Sequence, residues 1–470
     1  MSGPLGNTLG AQARTLFRLA VPIAAAQAGF ALMTLVDTAV VGRLGAESLA
    51  ALGVANSAFF AVVVIGMGVM MGLDPLVSQA IGARDFFRAR QLLWQGVWLA
   101  LGSSALLMLV FAAIVPVLLN AGLPPDTARD AVRYLWLRVP GVLPILLFTA
   151  LRSFLQAAGR VAPLVVAMVL ANIANFLLDL LFVFGGGSLG GWAGPLRLVP
   201  AMGAGGSAVA TSICSGLQVL ILLVGARSIL GAGQRPTRKP VLRDLLAAAR
   251  IGVPVGLQLT AEVSVFALVG VLVGRLGDGP MAAHQVALSL ASFTFCFAVG
   301  IGQAGSVLVG WGVGARDTPS ARRAGLIAFA AGGGFMALCG VMFWLWPTPL
   351  ARLLSDQPAV VAATAPLLVV AAVFQISDGV QAVGAGVLRG TGDTHYAFVA
   401  NLIGHYAVGL PLALLFGFTL DGGVVGLWWG LCAGLTAVGA ALFARFWIRS
   451  SREIAPLEAH PAVEKVASQA

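Results

Sequence analysis

Arg18-Leu19-Ala20-Val21-Pro22 returns, 232 residues later, as Arg250-Ile251-Gly252-Val253-Pro254. The same step carries Gly42-Arg43-Leu44-Gly45 onto Gly274-Arg275-Leu276-Gly277, and Gly82-Ala83-Arg84-Asp85 onto Gly314-Ala315-Arg316-Asp317, without a gap. Small-residue helical stretches resemble one another by chance, but chance does not carry two such tetrapeptides along one ungapped step. At a slightly different step, Phe154-Leu155-Gln156-Ala157-Ala158-Gly159 lies opposite Val387-Leu388-Arg389-Gly390-Thr391-Gly392. Cys214-Ser215-Gly216-Leu217 likewise lies opposite Cys432-Ala433-Gly434-Leu435. The chain is a duplication. Two like bundles facing each other across a cleft are a ground plan of alternating-access transport.

Hydrophobicity places the duplicated unit in a membrane. Apolar residues make up 59% of the chain and charged residues 10%, against about 25% charged in soluble domains. Mean hydropathy is +0.95. A soluble fold could not cover so much apolar surface. Apolar stretches of about 20 residues, enough to cross the hydrocarbon core as a helix, recur throughout. Twelve are expected, at roughly 15–42, 48–73, 91–115, 131–152, 161–185, 203–226, 250–274, 281–311, 322–347, 359–388, 395–418 and 422–448. The 60 glycines among 470 residues suit helices that must approach closely without a hydrophobic effect between them.

The formal charge of +10 serves topology rather than nucleic-acid binding. With a cytoplasmic N-terminus, only Arg43, Arg129, Arg133, Arg138, Arg197, Arg275 and Arg352 of the 28 basic residues fall in outer segments. That three-to-one bias follows the positive-inside rule and puts both termini in the cytoplasm. The expected organisation is an N-terminal segment 1–14, an N-lobe 15–226, a linker 227–249, a C-lobe 250–448 and a tail 449–470. Six spans per half relate the lobes by a pseudo-twofold axis along the membrane normal. The linker holds Gly231, Gly233, Pro236 and Pro240, and the polar tail is expected to be disordered. A removable signal peptide is not expected, because no cleavage pattern follows a short apolar core. A duplicated chain is self-sufficient, so a monomer in the lipid bilayer is the expectation.

Ionisable side chains within spans are costly, about 2.5–3.5 kcal/mol each at mid-bilayer, and usually serve a cavity or an ion path. Five acids fall there: Asp37, Asp74, Asp179, Glu262 and Asp378. No Lys or Arg is expected deep in a span to pair with them, so they must be protonated, bind a cation or be held by polar neighbours. Asn172, Asn175 and Asp179 are spaced three and four apart and share one helix face. Asp37, beside Thr34 and Thr38, lies at a similar expected depth. Carboxylate, amide and hydroxyl oxygens suit a proton or a hard cation, although amides on a helix face also serve simply to bond neighbouring helices. Glu262 and Asp378 lie nearer mid-span in the second half, opposite Phe30 and roughly Ile145. The acids do not follow the repeat, which points to separate tasks for the two halves. Asp74, followed by Pro75, is equally well read as bonding a neighbouring backbone.

Several chemistries are excluded by inspection. Lys239 and Lys465 are the only lysines, and neither belongs to a phosphate-binding Walker loop. No histidine precedes a glutamate in an HExxH pattern. His405 reads as a hydrogen-bonded core histidine. Cys214, Cys296, Cys339 and Cys432 are far apart, with neither zinc-ligand nor disulfide-framework spacing. No enzyme activity, no cofactor and no structural metal is expected.

The motifs also resemble a family. Val36-Asp37-Thr38 before Gly42-Arg43-Leu44-Gly45, Gln79-Ala80-Ile81-Gly82-Ala83, Ala282-Ala283-His284-Gln285-Val286-Ala287 and Leu388-Arg389-Gly390-Thr391-Gly392-Asp393 are similar to signatures of the multidrug and toxic compound extrusion (MATE) transporters, in particular the bacterial NorM-like branch. The resemblance covers about residues 12–450. It implies an all-α polytopic membrane protein of twelve helices in two lobes, exporting drugs in exchange for Na⁺ or H⁺ at the bacterial inner membrane. It further implies that Asp37, Asn175, Asp179 and Thr211 form a cation and proton site, with Na⁺ as a possible occupant. Glu262 and Asp378 would correspond to the C-lobe acids and, with Asp37, would meet a cationic or amphipathic organic substrate. Phe374, a turn before Asp378, stands where some relatives carry tyrosine, so a cation there has one oxygen ligand fewer.

Two other readings stay open from the residues alone. A flippase for lipid-linked precursors should present basic groups to a pyrophosphate, whereas the acids favour a cationic cargo. A channel with acidic rings would pass ions without exchanging one solute for another.

Overall fold

The computed structural model describes residues 8–457 apart from 121, 123, 189–190 and 231–235. The first seven residues, the linker positions Gly231, Gly233 and Arg235, and the tail from Glu458 with His460 and Lys465 lie outside the described residues. Among the described residues there is no strand. Twelve helices among the described residues are long and apolar enough to cross a membrane. They are α1 (Leu9–Leu44), α2 (Ala46–Gly82), α3 (Phe86–Leu119), α4 (Pro125–Ala157), α5 (Ala162–Phe184) and α6 (Ala204–Arg227) from the first half. The second half supplies α7 (Leu242–Gly274), α8 (Asp278–Gly314), α9 (Thr318–Leu345), α10 (Pro358–Gly390), α11 (Thr394–Thr419) and α12 (Gly423–Ser450).

Most of these helices run past the expected bounds, because their apolar cores continue into polar turns at either end. The interruptions have local causes. Pro75 offers no N–H to the carbonyl of Met71, and α2 breaks at Gly72, between Met71 and Leu73. In α11 the turns widen into π-helix at Ile403–Gly409 and again at Leu415–Thr419. Glycines bring this helix against α12: a Cβ on Gly430 would lie 2.1 Å from the backbone nitrogen of Ala413.

The sequence repeat is also a repeat of backbone geometry. Gly45 and its counterpart Gly277 have φ of 118° and 109°, and Arg84 and its counterpart Arg316 have φ of 59° and 56°. Asp85 accepts from the backbone N–H of Arg88 at 2.8 Å, and Asp317 from that of Ser320 at 2.9 Å. Each aspartate caps the helix that follows, by satisfying one of its free N–H groups. The repeated segments then touch reciprocally. A Cβ on Gly82 would lie 2.3 Å from the carbonyl oxygen of Trp311, and one on Gly314 would lie 1.9 Å from that of Gln79. Gln79 and Trp311 are themselves repeat partners. Ser78 faces its own counterpart, Gly310, whose Cβ would lie 2.0 Å from the serine Oγ. The local contact is two-fold in all but sequence.

Packing divides the described chain into two units. One comprises the residues up to Gln27, Asp74–Ala89 and those from Leu257 onward, and the other Ala28–Leu73 and Arg90–Gly256. The sequence halves therefore trade segments. In the first unit, a Cβ on Gly300 of α8 would lie 2.8 Å from the backbone nitrogen of Ala24 in α1. In the second unit the counterparts of those residues meet: a Cβ on Gly68 of α2 would lie 2.2 Å from the Cα of Gly256 in α7.

The described part of the linker and the start of the tail are both anchored. The described part of the linker is held by α3: Gln95 donates to the carbonyl of Lys239 at 3.0 Å and accepts from the N–H of Val241 at 2.8 Å. Trp98 donates to the carbonyl of Arg238 at 2.8 Å, and the Arg238 guanidinium lies 4.7 Å above the Trp94 ring. The start of the tail is packed rather than disordered. Ile454 is buried and donates its N–H to Thr318 Oγ1 at 3.1 Å, and Leu457 donates to Gln79 Oε1 at 2.9 Å. Apolar side chains at 454 and 457 in an otherwise polar stretch account for the difference.

Candidate functional site

The second unit gathers four of the six candidate residues. Asp37 reaches in from α1, Asn175 and Asp179 from one face of α5, and Thr211 from α6; all four are buried, Asn175 and Asp179 completely. The Thr211 hydroxyl lies 3.1 Å from Asp37 Oδ2 and 2.8 Å from the carbonyl of Ser207, and its single proton serves one of them at a time. Asn175 donates to Thr211 Oγ1 at 3.5 Å. The Asp37 and Asp179 carboxyls are near neighbours, and Ser207 lies near Asp179. Asp37 Oδ1, both Asp179 oxygens, Asn175 Oδ1 and Ser207 Oγ have no hydrogen-bond partner among the described residues. This is a buried set of oxygens with two acids at its centre. Buried oxygens of this kind call for a proton or a hard cation. Asn172 points elsewhere: its amide bonds the carbonyls of Gly29 and Met168 at 3.0 and 2.9 Å and ties α5 to α1.

The same unit holds a buried charge that the sequence reading counted among the outer-segment arginines. Arg138 was expected in an outer segment, and the spans were expected to lack deep cations. Arg138 already fell within the expected span 131–152, and in α4 (Pro125–Ala157) it is buried, only 9% exposed. Its guanidinium lies 4.9 Å above the Phe59 ring, within charge–charge reach of Asp37 and Asp179. Tyr134, one turn earlier on the same face, is buried in a cluster with Val40, Val41 and Val183, close neighbours in sequence of the two acids. The i, i+4 spacing of Tyr134 and Arg138 within an apolar run was the available signal.

The first unit holds the other two acids. Glu262 of α7 accepts from Gln381 Nε2 at 3.0 Å and from Asn401 Nδ2 at 3.5 Å. Asp378, one turn before Gln381 on α10 and nearly buried, lies within charge–charge reach of Glu262. Tyr406 donates to the carbonyl of Ala261, next to Glu262, at 3.0 Å. Gln381, Asn401 and Tyr406 escaped the sequence reading because amides and a lone phenol in apolar helices carry no charge to mark them.

His405 departs from its expected role as a hydrogen-bonded core histidine. It is fully buried in the π-helical stretch of α11, with neither ring nitrogen bonded among the described residues. Its nearest aromatic neighbour is Phe266, at 6.4 Å between centroids. The bonded histidine is His284, whose Nδ1 accepts from the Trp428 indole at 3.1 Å. Phe374 packs between Phe266 and Trp428, with centroids at 6.2 and 5.6 Å. That position is a ring-packing position here.

Asp74 is not a free acid. It pairs with Arg389, at the end of α10, at 3.1 Å, with both side chains largely buried. The basic partner was not foreseen because Arg389 had been assigned to an inner loop, whereas α10 extends to Gly390. Gln79, a turn and a half beyond Asp74, donates to the carbonyl of Gly390 at 3.0 Å. Among the described residues no three His, Cys, Asp or Glu side chains cluster as metal ligands.

The MatE family model matches this chain twice, over residues 22–181 and again over 254–415. The chain belongs to the MatE family. The second match begins 232 residues after the first, at the step read from the repeated tetrapeptides. Multidrug resistance protein NorM of Burkholderia vietnamiensis is 35% identical over 449 residues, covering 93% of this chain and 94% of the relative. Among solved structures, the eukaryotic MATE transporter AtDTX14 superposes with a TM-score of 0.83 at 23% identity, over 97% of this chain and 99% of the other. The Vibrio cholerae MATE transporter VcmN in its bent form gives a TM-score of 0.83 at 21% identity, over 95% and 98%. The expected all-α, twelve-helix membrane fold is the one this MatE chain shares with them.

Proposed function

We propose that this MatE protein is a secondary active multidrug efflux antiporter. It exports amphipathic or cationic organic compounds in exchange for H⁺ or Na⁺, by alternating access. It would reside in the bacterial inner membrane as a monomer with both termini cytoplasmic, and would need no cofactor beyond the coupling ion. The observation that carries this reading is the neighbouring pair Asp37 and Asp179, buried among oxygens several of which have no hydrogen-bond partner among the described residues. Asp37, Asn175, Asp179 and Thr211 are assigned the coupling-ion site. Glu262 and Asp378 are assigned to cation and proton handling in the second half and, with Asp37, to the substrate. A buried carboxyl binds either a proton or another cation but not both. That competition couples entry of one to exit of the other.

The family membership and the NorM relatives support export of drugs. The exclusively acidic character of the second-half site supports a cationic cargo there. The flippase alternative needs anion-binding groups. Arg389 is paired with Asp74, and Arg138 lies within charge–charge reach of two carboxyls, whose negative charge would oppose a pyrophosphate at either.

The test is efflux of a cationic dye from proteoliposomes under an imposed pH gradient and, separately, an imposed Na⁺ gradient. Movement of dye against its concentration under either gradient supports antiport and names the ion. Dye that never moves uphill, in vesicles that hold both gradients, sinks it.

A further inference from the structure

Arg138 is a buried charge that the proposed exchange does not use. Its guanidinium is nine-tenths buried, has no carboxylate at ion-pair distance, and leaves Nε and Nη1 without a hydrogen-bond partner among the described residues. A charge so placed is costly unless a nearby field offsets it. The field here comes from Asp37 and Asp179, the charges within reach. The side chain is also held in place. Its ring partner Phe59 lies 4.9 Å below, a cation–π contact. Ser212 Oγ lies 3.4 Å from the Arg138 carbonyl, and Ser212 directly follows Thr211, the residue that holds Asp37.

We infer that the Arg138 guanidinium is a resident counter-ion that limits the Asp37–Asp179 site to one monovalent cation at a time. This rests on the ion-site reading above and extends it to charge capacity. Two carboxylates and one guanidinium carry a net charge of −1, which a single monovalent cation or proton neutralises. A dication, or a second monovalent ion, would leave an excess positive charge in a buried site. With the guanidinium removed, the site carries −2 and gains most for a dication. A unit charge within several ångströms, at the effective dielectric of protein interiors, changes affinity by about tenfold or more.

The experiment measures binding of tetraphenylphosphonium, a monocation, and methyl viologen, a dication, to the purified full-length protein by calorimetry. Arg138→Gln should tighten methyl viologen by about tenfold and tetraphenylphosphonium by less. Arg138→Lys, which keeps the charge, should match the wild type. The gain should vanish in the double variant Asp37→Asn/Arg138→Gln. Arg138→Met, which keeps an apolar stem over Phe59, must show the same gain and replaces the glutamine variant if that one loses its melting transition. Equal weakening by Gln, Met and Lys would mean that Arg138 only packs, and would overturn the inference. Unchanged binding in the Gln and Met variants overturns it alone. Failure of every protein to bind either cation overturns it together with the site reading.

Discussion

Neutralising a single carboxyl should separate folding from coupling. Asp37→Asn and Asp179→Asn keep size and shape, so the purified variants should melt near the wild type. Their gradient-driven dye efflux should fall by at least about tenfold, equivalent to 1.4 kcal/mol; efflux at the wild-type rate in both would refute the assigned roles. Glu262→Gln keeps an oxygen for Gln381 and Asn401 and should behave likewise. Arg389→Met is different, because it strands a buried acid. Breaking a buried pair costs about 3–5 kcal/mol, and the lower end applies because Asp74 has further contacts. The melting temperature should drop, and Asp74→Asn added to Arg389→Met should recover part of the loss. The acids were legible in the sequence because a carboxylate stands out in an apolar span, and Asn175 because it shares a helix face with Asp179. Arg138 and Arg389 were not. Arg138 was counted as a topology charge although it fell within its expected span, and Arg389, one residue past its expected span end, could not be told from one until the true length of the helix was known.

Where helices cross backbone to backbone, the constraint belongs to the element rather than to any one side chain. Gly82 and Gly314 each press on the helix of the other's repeat, with less than 3 Å available to a Cβ. Gly314→Ala should cost about 1–3 kcal/mol by overpacking, seen as a lower melting temperature, and Gly82→Ala should match it. Gly334→Ala meets nothing within 4 Å and should leave the melting temperature unchanged. A loss at Gly334 equal to that at Gly314 would show that helix composition, not contact, is being read. The repeated tetrapeptides announced these elements well: the positive φ at Arg84 and Arg316 and the caps at Asp85 and Asp317 follow the 232-residue step. The π-helical turns of α11 left no trace in the sequence, because hydrophobic periodicity does not resolve one extra residue per turn.

For the whole molecule, twelve helices, membrane residence and the duplication were readable from composition and repeat alone. The trading of segments between halves was not, because a repeat shows which segments are alike and not which of them pack together. The tail belongs to this scale too, since its first residues are bonded to both a first-half and a second-half helix. Ending the chain after Leu457 should leave the melting temperature unchanged. Ending it after Ser450 removes the bonds to Thr318 and Gln79 and should lower it by a few degrees, about 1 kcal/mol for each bond lost. Equal stability of the two truncations would mean that the tail contributes nothing.

The traded segments bear on how such a protein can be divided. The start of α1 completes the unit built mainly from the second half, and the start of α7 completes the one built mainly from the first. A gene cut between the halves would therefore encode two polypeptides, neither holding all the pieces of its own unit. Each would enter the bilayer without the leading segment that packs closely on its own glycine, Gly68 in one and Gly300 in the other. The halves should accumulate only when made together, which makes a split version of this chain a natural reporter of assembly in the membrane.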